Sequence, residues 1–171
     1  LKSVAEWKEL VAEYQQPHLG RAIWQITNTL GSVFAIWVIL YLTLSISWWL
    51  TVGLSLLAGI FLVRAFIIFH DCGHGSFFKS KKANHILGFI TGMLTFTPYH
   101  HWRWEHAMHH ATNGDLDRRG IGDIWTLTVR EYLSSSRITR LNYRFVRNPF
   151  ILFVFAPLFL FMILERFPSS K

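Results

Sequence analysis

From Ala22 to Leu44 the chain carries no charged residue. A helix of about 23 residues is long enough to cross the roughly 30 Å of hydrocarbon in a bilayer. After only Ser45-Ile46-Ser47 a second apolar run extends from about Trp48 to Phe69, with Arg64 as its single charge. Inside hydrocarbon every backbone N–H and C=O must find a partner within the protein, which restricts spanning structure to helices and closed barrels. No strand-like alternation occurs along the sequence. The expected fold class is therefore all-α: an integral membrane helical bundle built on a transmembrane hairpin, 22–44 and 48–69. Hydrophobic residues make up 51% of the chain, with eight Trp and fifteen Phe, a composition that fits lipid-facing helices rather than a soluble core.

A hairpin returns the chain to the side it started from. Lys79, Lys81 and Lys82 follow the second span, Arg118, Arg119, Arg130, Arg137, Arg140, Arg144 and Arg147 come later, and the loop between the spans is uncharged. The positive-inside rule then predicts a multi-pass membrane protein with its N-terminus and the segment after Phe69 in the cytoplasm. Arg64 is expected to snorkel to the interface, with pairing to a carboxylate or a lipid phosphate as the alternative. The formal net charge of +7 favours membrane lipids with anionic headgroups over nucleic acid, because the basic residues border apolar segments and no nucleic-acid motif is present. An acidic protein partner suits the same field. Cys72, the only cysteine, excludes an intrachain disulfide and a Cys-rich zinc module.

The remaining segments read as one domain over 1–171. Residues 1–20 predict a short amphipathic helix opened by a Ser3–Glu6 capping box and ended by Pro17 and Gly20. The stretch 86–98 is apolar but too short to span, so a re-entrant or interfacial segment is expected. Residues 113–123 form a loop by composition. Thr128 and Glu131 predict a second capping box, opening a basic stretch with interspersed apolar residues that suits the membrane surface. After Asn148-Pro149, residues 150–164 fit either a short third span or a further re-entrant segment. A first residue other than Met, and an apolar segment close to Lys171, raise the expectation of a chain incomplete at its C-terminus.

Eight of the nine histidines lie between His70 and His110. On a helix His70 and His74 share one face, and His106, His109 and His110 share another. Neutral imidazole is the commonest protein ligand for a transition metal, and imidazoles without thiolates suit iron, zinc, copper or nickel rather than magnesium or calcium. Five imidazoles held together would repel if protonated, which a bound cation explains. A re-entrant segment between the clusters would bring the chain back to one surface and allow a shared site. Cys72 falls about 200° round the helix from His70 and should pack away from the metal.

These residues carry a resemblance. His70-Asp71-Cys72-Gly73-His74-Gly75 resembles the first histidine box of the membrane fatty acid desaturases. His106-Ala107-Met108-His109-His110-Ala111-Thr112-Asn113 resembles their second box. The spacing of the boxes, the preceding hairpin, and Gly122-Asp123-Ile124-Trp125 are similar to the bacterial acyl-lipid branch. The resemblance implies a cytoplasmic histidine-rich cap holding a non-haem centre of two iron ions, with O2 as co-substrate. It also implies introduction of a cis double bond into an acyl chain, on an acyl lipid or other acyl carrier. The electron donor would be of ferredoxin, flavodoxin or cytochrome b5 type. A third box of the His-x-x-His-His kind does not follow His110, so it is expected beyond Lys171, and the 171 residues alone are expected to be inactive.

On this reading His70, His74, His106, His109 and His110 are the metal ligands. Asp71, Glu105, Asp115 and Asp117 are candidate acceptors for ligand N–H groups. His100, His101, Trp102 and Trp104 are assigned to a substrate groove, while His85 and His18 are bystanders. Two rivals stand beside it: a related hydroxylase or ketolase of alkyl or carotenoid substrates, and a non-catalytic metal- or haem-binding membrane module.

Overall fold

The computed structural model describes residues 4–120 and 122–164, and every regular element among them is helical. The chain divides into two compact units, Leu1–Thr95 and Phe96–Lys171.

The first unit begins with α1 (Val4–Ala12), followed by one tight turn, Glu13–Gln15. The Ser3–Glu6 capping box lies outside the described residues. Pro17 and Gly20 do not both close this helix as expected. Gly20 already belongs to α2 (Leu19–Thr43), whose first turn is capped by His18, its Nδ1 accepting from the Arg21 N–H at 3.2 Å. The first span thus starts a turn earlier than the charge-free run, with Arg21 inside it.

Ser47 caps α3 (Trp48–His74), which runs a turn beyond the expected end at Phe69. At 25 and 27 residues, α2 and α3 are long and apolar enough to cross a membrane. The two helices pack against each other, and their buried residues are Ala22, Thr29, Val33 and Ile36 on α2 and Ala58, Ala65, Ile68, Phe69 and Cys72 on α3. Much of their remaining surface is large and apolar, including Ile23, Trp24, Phe34, Leu56, Ile60 and Val63. Such faces are costly in water and favourable against acyl chains. The chain is a membrane protein.

Arg64 departs from the snorkelling expectation. Its Nη2 donates to Asn28 Oδ1 on α2, and its guanidinium lies 5.3 Å from the Phe61 ring centroid. Among the described residues its hydrogen-bond partner is a neutral amide across the hairpin rather than a carboxylate.

The helix α4 (Lys81–Leu94) packs on α3 through small buried residues, Gly88, Thr91 and Gly92, which let two backbones approach closely. Its 14 residues are too few to span. Buried Asn84 closes the loop before it, accepting from the Phe78 N–H at 2.9 Å and donating to the Phe78 carbonyl at 2.8 Å.

The second unit opens with α5 (Tyr99–Thr112). The following loop is pinned by Arg119. It donates to the Leu116 and Thr126 carbonyls and forks onto Glu131 with N···O separations of 3.1 and 2.8 Å. The Thr128–Glu131 capping box forms as expected and opens α6 (Val129–Ser134). The helix α7 (Arg137–Val146) follows, joined to α6 by the Tyr132–Tyr143 ring contact and by Arg144 Nε donating to the Tyr132 hydroxyl at 2.7 Å. Past Asn148-Pro149 the chain makes a wide π-helical turn, Ile151–Phe155, and then α8 (Ala156–Met162). A bend of 59° separates this apolar stretch from α7.

Candidate metal centre

The first histidine pair sits on the last turn of α3, and the helix stops directly after it. Gly75 has φ +71°, the left-handed conformation that ends a helix at little cost only for glycine. The Ser76 N–H bonds the Asp71 carbonyl and the Gly75 N–H bonds the Cys72 carbonyl, closing the last turn. His70 and His74, four residues apart, bring their Nε2 atoms to 3.3 Å with the rings edge to face. Asp71 turns its carboxylate back along the chain, and Oδ1 lies 3.2 Å from His70 Nδ1. A carboxylate there holds the proton on Nδ1 and leaves the Nε2 lone pair for a metal. Cys72, two residues along, is fully buried within the unit.

The second pair is on α5. His106 and His110 bring their Nε2 atoms to 3.1 Å, again edge to face. The buried Trp102, one turn earlier, stacks on His106 with centroids 4.3 Å apart and planes 16° apart, which fixes that ring's plane. His109 lies on the same face, 6.3 Å from His106 between ring centroids, but meets a different neighbour. Its Nδ1 is 3.2 Å from Asp123 Oδ1.

Two nitrogens bound side by side to one first-row metal ion, each at about 2.0–2.1 Å as for zinc, stand about 2.8–3.4 Å apart for angles of about 90–109°. Both Nε2 separations fall in that range. The same spacing also suits one N–H donating to the other ring's lone pair. His70, His74, His106 and His110 each offer one such nitrogen. Neutral imidazoles with no thiolate among them fit a transition metal ion.

The other sequence candidates are placed as follows. Glu105 Oε1 lies 3.4 Å from His101 Nε2, one turn away, so these two meet each other. Asp115 accepts from Arg118 Nε at 2.6 Å and from the Asp117 N–H at 3.0 Å. The Arg118 bond, with the Asp117 N–H behind it, holds the Asp115 carboxyl below its usual value. Asp117 is exposed in the same turn. His100 stands edge-on to Tyr99, and Trp104 is exposed. Trp102, assigned from sequence to a groove, is the stacking platform of His106. That contact was readable as an i, i+4 aromatic pair. Asp123 was missed as a partner, because it reaches His109 through a loop whose path no periodicity encodes.

The sequence profile described as "Fatty acid desaturase" matches residues 46–170. The chain belongs to the fatty acid desaturase family. Among curated relatives, a "Fatty acid desaturase" of Bacillus subtilis (strain 168) is 52% identical over 157 residues, 92% of this chain. An "sn-1 oleoyl-lipid 12-desaturase" of Synechocystis is 33% identical over 71% of the chain. An "sn-1 acyl-lipid omega-3 desaturase (ferredoxin)" of the same organism is 41% identical over 42%. The chain spans 45%, 31% and 20% of the lengths of these three desaturases. No solved structure matches it significantly. The family match begins at the hairpin turn and takes in α3, α5 and both histidine pairs.

Proposed function

We propose that this chain supplies the first two histidine clusters of a membrane-bound acyl-chain desaturase. In this reading His70, His74, His106, His109 and His110 are ligands of a centre of two iron ions. The observation that carries it is the pair of Nε2–Nε2 separations, 3.3 and 3.1 Å, each suited to neighbouring positions on one ion. Bound iron supplies the reduction of O2 and the oxidation of a methylene, whose C–H bond offers no acidic proton and no leaving group to acid–base catalysis. The chain's own residues orient the donors: Asp71 keeps His70 Nε2 available, and Trp102 sets the plane of His106. The apolar outer faces of α2, α3 and α4 keep the surroundings dry and in contact with acyl chains, so that the substrate reaches the site from lipid.

The substrate class is an acyl lipid and the electron donor a ferredoxin-type protein, as the names of the Synechocystis relatives suggest for those proteins. The hairpin and the basic residues after α3 favour a multi-pass topology with both clusters on the cytoplasmic side.

The test is expression of the full-length protein in membranes supplied with defined acyl lipids, with metal analysis, O2 consumption and mass spectrometry of the released acyl chains. Bound iron, consumed O2 and a product short of two hydrogens are expected. A product that gains oxygen would point instead to a hydroxylase or ketolase. Iron-free protein would sink the enzyme reading and leave a non-catalytic membrane module.

A further inference from the structure

His109 Nδ1 is shut off from solvent and makes no hydrogen bond of good angle among the described residues, yet Asp123 Oδ1 stands 3.2 Å away. The segment carrying Asp123 is shaped to this ring. Gly122 has φ +74°, and a Cβ built there would lie 3.1 Å from both Cβ and Cγ of His109 and 3.2 Å from Nδ1. Only a residue with no side chain combines that backbone conformation with that approach. The other carboxylate oxygen, Asp123 Oδ2, accepts from the Gly120 N–H at 3.0 Å, which ties the carboxylate to its own turn and leaves Oδ1 for the ring. An Nδ1–H directed at Oδ1 would satisfy both groups. Both side chains are mostly covered, at 26% and 18% exposure, so the contact is little weakened by solvent.

We infer that Asp123 is a positioning residue for the metal centre: from the Gly122 bend it holds the proton of His109 on Nδ1 and so presents Nε2 as the ligating nitrogen. The inference rests on the proposed metal-ligand role of His109. A carboxylate is acceptor-only, so Nδ1 must be the protonated nitrogen when it faces Oδ1. In Asp123→Asn the amide keeps the Gly120 contact through its oxygen and turns its NH2 toward His109. That arrangement favours a lone pair on Nδ1 and a proton on Nε2, the wrong tautomer for binding metal.

The test uses the full-length protein, purified metal-free, with Asp123→Asn, Asp123→Glu and Gly122→Ala beside wild type. Fe(II) affinity is measured by chelator competition, and the His109 ring tautomer by 15N NMR, assigned with His109→Gln. Wild type is expected to carry Nδ1–H at His109, and Asp123→Asn to carry Nε2–H. Metal affinity should fall about ten- to a hundredfold in Asp123→Asn, the usual effect of losing such a contact. Asp123→Glu should recover part of it, and helical circular dichroism should be unchanged in both. Unchanged tautomer and affinity in Asp123→Asn overturn the inference, while wild-type binding intact leaves the metal centre standing. Parallel loss of helical signal and metal makes Asp123 a loop-fold residue and overturns it too. Absence of metal uptake by wild type overturns the metal-centre reading itself.

Discussion

Arg64 Nη2 donates to Asn28 Oδ1 at 2.5 Å, joining the two spanning helices across 36 residues of sequence. The Thr29 hydroxyl donates to the same oxygen at 3.3 Å. No acidic residue occurs between Tyr14 and His70, so the guanidinium is held by a neutral amide and by the ring of Phe61. Asn28→Leu removes the amide and leaves the charge facing apolar surface. Loss of one such interhelical bond in a membrane averages about 0.6 and reaches about 1.7 kcal/mol, and a stranded charge adds to it. Thermal unfolding in detergent should show Asn28→Leu less stable than wild type. The double variant Asn28→Leu/Arg64→Leu should be more stable than Asn28→Leu alone. A double variant no better than the single one would mean the pair has no coupling.

Gly75 tests the end of α3. A Cβ at this position would meet nothing within 4 Å, so substitution adds strain without a clash. The strain of a left-handed L-residue is about 1–2 kcal/mol. Gly75→Ala should lower stability by about that amount, and Gly75→Asn by less, since Asn tolerates this conformation better. Because the Gly75 bend closes the turn carrying His70 and His74, Gly75→Ala should also weaken metal binding in the same chelator competition. Equal melting temperatures for Gly75→Ala and wild type would remove the bend's role.

The hairpin was legible because charge-free length is a one-dimensional property, and both histidine pairs because four residues make one helical turn. Three features were not. Where α2 begins depends on His18 capping Arg21, a contact that no hydropathy window registers. The Arg64–Asn28 bond joins residues 36 apart and depends on the register of two packed helices, which is not encoded in either helix alone. Asp123 reaches His109 only because Gly122 bends the intervening loop, and acidic residues nearer in sequence, Asp115 and Glu105, are held by Arg118 and His101 instead.

Glu131 gives a pH dependence of definite sign. The Arg119 fork, then the Thr128 N–H and hydroxyl, pull its carboxyl down from 4.5 to about 2. A depressed carboxylate contributes stability that is fully present above its ordinary value and is lost as pH falls through the folded value. Local order of the loop from Arg119 to Glu131 should therefore hold down to about pH 4.5 and fade toward about pH 2. Hydrogen exchange of Thr128 and Glu131 amides, compared between wild type and Glu131→Gln at each pH so that intrinsic rates cancel, reads this directly. Wild type should be the more protected at pH 6, with the difference closing near pH 2. A gap that persists unchanged at pH 2 would refute the assignment to the carboxylate.

The helix α7 predicts a depth in the membrane. Ile138, Leu141 and Phe145, at helical spacing, are 73%, 67% and 63% exposed, while Arg137, Arg140, Arg144 and Arg147 occupy the rest of the segment. An apolar stripe bordered by arginines settles at a headgroup boundary, with the stripe toward acyl chains and the guanidinium groups toward phosphates. Its neighbours agree, since Tyr143 is taken up by Trp125 and Tyr132 on the other side of the helix. Cys72 is buried, so Leu141→Cys can be labelled selectively with an environment-sensitive fluorophore in the folded protein. Reconstituted in vesicles containing phosphatidylglycerol, the label should emit as in an apolar medium and be quenched by brominated acyl chains but little by aqueous iodide. Strong iodide quenching with no effect of the brominated lipid would place the stripe in water and exclude the membrane-surface orientation.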